Sequence, residues 1–409
     1  MEARAPLAAD ARIDAMDVLR GFALLGIGLM NIEGIAGPLF QAIDGVDPAL
    51  RGADRVADAV VYVLVQGKFY TLFSLLFGMG FALMLQRARA DGRPFAGLYL
   101  RRLLALLAIG LAHALLVWSG DILVSYALVG LVMLLAFRNT PRRRQPVWGV
   151  LFYLVPSLLV LAMALLVRAP GAAAAIQPSL DAQGALMSTA LEAQRVAYGS
   201  GDFAAATARR IADTGLMLGA MLPYAGWTIL GMFLLGGWFV SSGAIAHPAE
   251  FPGLYRGLRW LALPLGLAAM LLSYRLVPTL DFSRLDMTSA VAATLAAVAG
   301  LLMCLGYVGV VVGGLQSPAW RARWALLAPA GRMALTHYLL QSLAWTLLFY
   351  GYGGGFFDAM PRAWQLPFVV ACFAMQVAAS HWWLRRFRFG PAEWLWRSAT
   401  YLRLQPMRA

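Results

Sequence analysis

Lysine is all but missing from this 409-residue chain: of 33 basic residues, only Lys68 is not an arginine. Charge of either sign is scarce, at 13% of residues, with 20 acidic side chains against the 33 basic ones. A soluble protein of this size could not cover its apolar surface with so little charge. The net charge of +13 does not mark a nucleic-acid binder, because the arginines are scattered between apolar runs and form no basic domain. The two cysteines, Cys304 and Cys372, both fall inside apolar runs, which excludes a disulfide framework. The four histidines stand far apart, with no HExxH or HxxxH pair, so no metal site is expected. No P-loop, GxSxG elbow, dinucleotide fingerprint, low-complexity tract or short repeat occurs.

Hydrocarbon is what the chain has in excess. Hydrophobic residues make up 61% of it and the mean hydropathy is +0.70. Several runs approach or exceed the ~18 apolar residues that read as a membrane span. The expected fold is an all-α polytopic bundle, since a membrane β-barrel would show short alternating segments instead. The spans are placed at 17–37, 59–86, 100–118, 121–137, 147–168, 215–240, 257–278, 288–312, 325–350 and 364–385, ten in all. The second is long enough to be tilted or broken near Gln66–Gly67–Lys68. The first has an apolar part longer than a signal-peptide core and no clear cleavage site after it, so it is expected to be retained.

Charge between the spans sets the expected orientation. With the N-terminus in the cytoplasm, the inside segments hold 21 basic residues, Arg4, Arg12 and Arg93 among them, and the outside segments nine. That bias places both termini in the cytoplasm. The chain then divides into an N-terminal five-span half (1–168), an extracytoplasmic connector (169–214), a C-terminal five-span half (215–385) and a cytoplasmic tail (386–409). Within the connector, Ser188 to Ile211 reads as one or two helices interrupted at Tyr198–Asp202, with Asp202 as N-cap of the second. It is either a plain linker or a lid over an outward-facing cavity. The tail should form a short amphipathic helix from Gly390–Pro391, with Glu393 and Arg397 paired four apart and Trp394, Trp396 and Tyr401 as interfacial aromatics.

Polar groups inside the spans are few, and each asks for a partner or a purpose. Arg20 and Asn31 lie eleven residues apart on the first span, so they share one face about 16 Å apart along the axis. Glu33 follows. Lys68 is on the second span, His113 on the third with Asp121 after it, and His337 and Gln341 are a turn apart on the ninth. From the span starts, Asn31, His113 and His337 sit about 18–21 Å deep, at or past the middle of a ~30 Å core. Plainer roles exist for all of them. Asn31 can glue two helices, Glu33 can reach the outer interface, and Lys68 can pair with a carboxylate or snorkel. Asp121 can cap the fourth span, and the two histidines can be satisfied by packing. Arg101 and Arg102 read first as inside anchors.

Several stretches resemble a known family. Asp17–Val18–Leu19–Arg20–Gly21–Phe22–Ala23 through Met30–Asn31 is similar to the opening of the YeiB-like bacterial membrane proteins. Phe69 to Gly78 (FYTLFSLLFG) resembles a second signature. His113–Ala114–Leu115–Leu116 with Gly120–Asp121–Ile122–Leu123 and Tyr126 resembles a third. Gly331–Arg332–Met333–Ala334–Leu335–Thr336 with Tyr338–Leu339–Leu340–Gln341–Ser342, and Phe389–Gly390–Pro391 with Glu393–Trp394–Leu395–Trp396–Arg397, resemble its C-terminal domain of unknown function. His337 departs from the pattern, where Asn is expected. The resemblance spans nearly the whole chain and implies a bacterial inner-membrane protein.

The family is grouped by similarity with transmembrane acyltransferases, including the lysosomal heparan-type acetyltransferase and bacterial surface-sugar O-acyltransferases. In those sugar enzymes an Arg near the start of the first span is followed, after ten residues, by a His. Here Arg20 is followed after ten by Asn31, which cannot take a proton at neutral pH. The implied enzyme would dock the phosphates of acyl-CoA, a co-substrate, on Arg20, Arg101 and Arg102. His113 would be the replacement base, oriented by Asp121 or Glu33, with Asn31 or Lys68 stabilising the oxyanion. The expected partners are membrane lipid, acyl-CoA and a small-molecule or glycan acceptor, with a homodimer allowed but not required. Two rival readings stand beside this one. One is a secondary transporter with two inverted five-span halves. The other is a non-catalytic lipid- or quinone-binding membrane protein.

Overall fold

The computed structural model describes residues 14–92, 94–281 and 283–408. Arg4, Arg12 and Arg93 of the charge count lie outside the described residues. Helix α1 (Asp14–Ala36) carries Asp14 and Asp17 in its first turn, where the positive end of a helix favours carboxylates. Most of its side chains are buried, so it stands as a central post. Helices α2 (Gly52–Leu64) and α3 (Phe69–Ala90) are the second span, broken where the sequence placed the break. Gly67 takes φ +81° there, a conformation glycine adopts without steric penalty.

Helix α4 (Ala96–Leu116) is followed by α5 (Leu123–Val132), which ends in a π-turn over Met133–Phe137. Helix α6 (Gln145–Leu166) completes the first half. The connector is two helices, α7 (Ala172–Gly199) and α8 (Phe203–Leu216), with Asp202 capping α8 by accepting from Ala205 N at 2.8 Å. Next come α9 (Leu222–Ser241), α10 (Pro252–Gly257), α11 (Leu263–Leu276) and α12 (Met287–Gln316).

The ninth span is broken into two pieces, α14 (Ala328–Arg332) and α15 (Ala334–Phe349), with α13 (Pro318–Ala325) just ahead of them. The break at Met333 lies beside a close helix crossing. A Cβ on Gly331 would overlap the carbonyl oxygen of Asp17, and one on Gly21 that of Leu327, so α14 presses backbone to backbone on α1. Helices α16 (Arg362–Trp383) and α17 (Pro391–Tyr401) close the chain.

Among the described residues, eight stretches are long and apolar enough to cross a membrane, Asp14–Ala36, Gly52–Ala90 and Met287–Gln316 among them. The chain is an all-α membrane protein. Two of the ten expected spans fall short of that length. Leu123–Phe137 has 15 residues, and α15 has 16, cut short by the break before it. At 1.5 Å per residue each is about 22–24 Å long.

At the end of the bundle away from α17, the loop after α1 is zipped to the loop between α11 and α12. Val46 N donates to Pro278 O at 3.0 Å and Leu280 N to Asp44 O at 2.7 Å. Burial, then the nearby charges of Asp281 and Asp47, push the Asp44 carboxyl up to about 6. The native loop therefore holds a proton that the unfolded chain releases near pH 4. The stabilisation is complete below the unfolded value and is lost as pH rises through the folded one. Thermal unfolding in detergent should show wild-type stability falling between about pH 4 and 6, and Asp44→Asn should flatten that fall.

Candidate functional site

One cavity, of about 230 Å³, gathers residues from seven helices at the α17 end of the bundle. The start of α1 gives Asp17 and Arg20, the start of α4 gives Tyr99 and Arg102, and α17 gives Glu393, Trp396 and Arg397. Arg332 comes from the end of α14. Four arginines thus face two carboxylates around the rim. Below them the walls turn apolar and aromatic, with Ile27, Phe73, Leu76, Phe77, Tyr126 and Tyr338. From Arg20 to Ile27 the cavity runs about 10 Å along α1.

Helix α17 is fastened to this rim by its own side chains. Trp396 donates from Nε1 to Arg102 O at 2.9 Å, and its ring lies 3.6 Å under the Arg102 guanidinium. Glu393 reaches the first turn of α15, accepting from Leu335 N at 2.7 Å, Thr336 N at 3.2 Å and Thr336 Oγ1 at 2.6 Å. A helix start with unsatisfied N–H groups is thereby capped from a distant segment. Burial raises the Glu393 carboxyl above its ordinary range, against the lowering effect of these bonds. The expected interfacial helix exists, but Trp396 turns toward the bundle.

His113 and Asp121 meet just beyond the apolar end of the cavity. Helix α4 runs out at His113, whose carbonyl takes both Val117 N and Trp118 N at 2.9 Å. The chain then turns through Ser119–Gly120 and returns Asp121 to the imidazole. Asp121 Oδ2 lies 2.7 Å from His113 Nδ1, with both side chains 2% exposed. The other oxygen, Oδ1, accepts from Val124 N at 2.8 Å, so the same carboxylate also caps α5. With Asp121 ionised, Nδ1 carries the proton and Nε2 keeps its lone pair. Nε2 is buried and has no hydrogen-bond partner among the described residues. Tyr338 from α15 completes the group: its hydroxyl is 3.4 Å from Asp121 Oδ2, and its ring centroid is 5.1 Å from that of His113.

The other expected site residues divide clearly. Arg20 and Arg102 are on the rim, Arg20 donating to Asp17 at 2.8 Å, whereas Arg101 is not part of the lining and leaves its Nε buried without a partner. Asn31 is buried one turn beyond Ile27 on the same face of α1 and makes no side-chain hydrogen bond among the described residues. Lys68 lies elsewhere: its ammonium donates to Tyr62 O at 2.9 Å and approaches Met270 Sδ at 3.3 Å, with no carboxylate beside it. Glu33 is not the residue that orients His113. It pairs with Arg362 at 2.6 Å, and the same guanidinium holds Asp58 at 2.9 Å. His337 and Gln341 face α16, His337 Nε2 meeting Ser380 Oγ at 2.5 Å and Gln341 donating to Gln376 at 2.8 Å.

Tyr338, Arg332, Glu393, Trp396 and Arg397 were not singled out as site residues from the sequence. The signal was nonetheless there, because each of the five motifs that carry the family resemblance places residues in this lining. Beyond Asp121 the site is covered by the connector. Arg210 of α8 is fully buried and donates to the carbonyls of Leu115 at 3.1 Å and Val117 at 3.4 Å, at the end of α4. Tyr198 of α7 donates to Asp213 at 2.6 Å and lies 3.5 Å from Ser119 Oγ.

Comparison with known proteins agrees with the motifs. Residues 239–403 match the family model described as a protein of unknown function (DUF418). The chain is 33% identical to "Uncharacterized protein YxaH" of Bacillus subtilis (strain 168), covering all of this chain and 98% of the relative. It is 32% identical to "Uncharacterized protein YeiB" of Escherichia coli (strain K12), over 94% of this chain and 95% of the relative. A 39.9 kDa protein from the amylase 3′ region of Bacillus acidopullulyticus is 29% identical over 98% of this chain. No solved structure matches. Identity at this level over the full length of both chains places the protein in the YeiB-like family.

Proposed function

We propose that this protein is a membrane-embedded acyltransferase of the bacterial inner membrane, with both termini cytoplasmic. It would move an acyl group from cytoplasmic acyl-CoA to a sugar, lipid or small amphiphile. The observation that carries the reading is the pairing of an arginine-rimmed, apolar-floored cavity with a buried His–Asp pair at its inner end. An acyl donor has the matching form: phosphates for Arg20, Arg102, Arg332 and Arg397, and a chain for the aromatic floor. In this reading His113 Nε2 takes the proton from an acceptor hydroxyl or amine as its oxygen or nitrogen attacks the thioester carbonyl. The same nitrogen then returns the proton to the departing thiolate. Asp121 holds the tautomer this requires. Asn31, with its amide uncommitted, is the candidate for the developing oxyanion. Lys68 and Glu33 have no part in it, being held by other neighbours.

The test is acyl transfer from radiolabelled acyl-CoA by the protein in nanodiscs, with sugar and lipid acceptors. Arg102→Ala should raise KM for acyl-CoA roughly 10- to 100-fold, the loss of one charge-assisted contact, with kcat little changed. An unchanged KM would remove the rim from donor binding. Solute uptake into proteoliposomes without any acyl-CoA consumption would replace the enzyme with a carrier.

A further inference from the structure

The cavity and the His–Asp pair are neighbours, yet they are not connected. His113 and Asp121 are absent from the lining, and Tyr338, which lines the cavity, touches both of them. Its ring lies against the imidazole at 5.1 Å, inclined by 48°. Its hydroxyl stands 3.4 Å from Asp121 Oδ2 and takes Ile122 N at 3.4 Å. Both are long for hydrogen bonds and therefore weak. By contrast the backbone that carries the ring is firmly held, since Glu393 caps α15 one turn earlier.

We propose that Tyr338 is the gate between the cavity and His113, so that Nε2 is reached only when the ring leaves its present position. The proposal rests on the reading that cavity and pair serve one reaction. Three observations support it. The base nitrogen is buried with no partner among the described residues, although a nitrogen that works on a ligand must at some point meet one. The Tyr338 ring turns on its own χ angles on a fixed helix, so its displacement needs no shift of backbone. The bonds that hold it shut are the weakest in the group, at 3.4 Å against 2.7 Å for His113 to Asp121. A closed gate would keep water and stray nucleophiles from the donor thioester until the acceptor is in place.

Carbethoxylation by diethyl pyrocarbonate, read for each histidine by peptide mass spectrometry, tests this without requiring any turnover. His247, exposed in the loop after α9, gives the reference rate. His337, packed on Ser380, reports general loosening of the bundle. In the wild type His113 should react far more slowly than His247. Tyr338→Ala should raise the His113 rate by at least about tenfold while His337 stays protected. Tyr338→Phe keeps the ring and should leave the rate within about threefold of wild type. Tyr338→Leu serves if the alanine protein is not recovered. A His113 rate unchanged by loss of the ring, or one that rises only in step with His337, would overturn the gate. Acyl transfer by wild type alongside either result would leave the enzyme reading standing, and its absence alongside an opened His113 would leave the gate standing.

Discussion

Arg362→Met should cost about 3–5 kcal/mol of stability, the penalty of leaving buried charge without its partner. The guanidinium is 5% exposed and serves two carboxylates, Glu33 of α1 at 18% and Asp58 of α2 at 3%. It also donates to Gln365 at 2.6 Å. Methionine fills much the same volume, so the loss would be electrostatic and not a cavity effect. Both carboxylates would stay desolvated, with one backbone donor, Asp47 N at 2.9 Å, left to Asp58. Thermal unfolding in detergent is the measurement, and neutralising both acids in the same background (Glu33→Gln with Asp58→Asn) should recover much of the loss. A melting temperature within about 2 °C of wild type for the single variant would show the group to be solvated in the native protein.

His113→Ala should lower acyl transfer by about 10²- to 10⁴-fold, the usual worth of a positioned general base. The fold should survive, because the helix-ending bonds of His113 are made by its backbone carbonyl and its side chain bonds only Asp121 among the described residues. Asp121→Asn is the sharper variant. Its amide oxygen can still accept from Val124 N and keep the cap on α5. Its NH₂ would then face Nδ1, which must give up its proton and pass it to Nε2. The base would be present but in the wrong tautomer, so the rate should fall nearly as far as in the alanine variant. Turnover by either variant at the wild-type rate would take the pair out of the chemistry.

How much of this could be read along the chain depends on what hydropathy and periodicity encode. They give depth and face, and so placed Arg20 and Asn31 on one stripe of α1 and the break at Gly67 in the second span. Short-range chemistry was equally plain: Asp202 caps α8 as its position suggested, and Asp121 lies only eight residues from the His113 it binds. Periodicity does not say which helices are neighbours around the bundle axis. Lys68, expected at the level of His113, is turned toward α11, and Glu33 finds Arg362 at a separation of 329 residues. Arg362 itself entered the reading as one more charge between spans. The rim of the cavity was hidden for the same reason, because it draws on both ends of the chain.

That last arrangement has a bearing on biosynthesis. Glu393 and Trp396 belong to the final helix, yet they cap α15 and pin α4. A ribosome makes them after the other described helices. Until then the first turn of α15 lacks its carboxylate and the arginines lack their aromatic wall. The nascent protein would therefore sit unfinished, and a chain interrupted before Glu393 would hold its other helices but lack the α17 wall of the cavity.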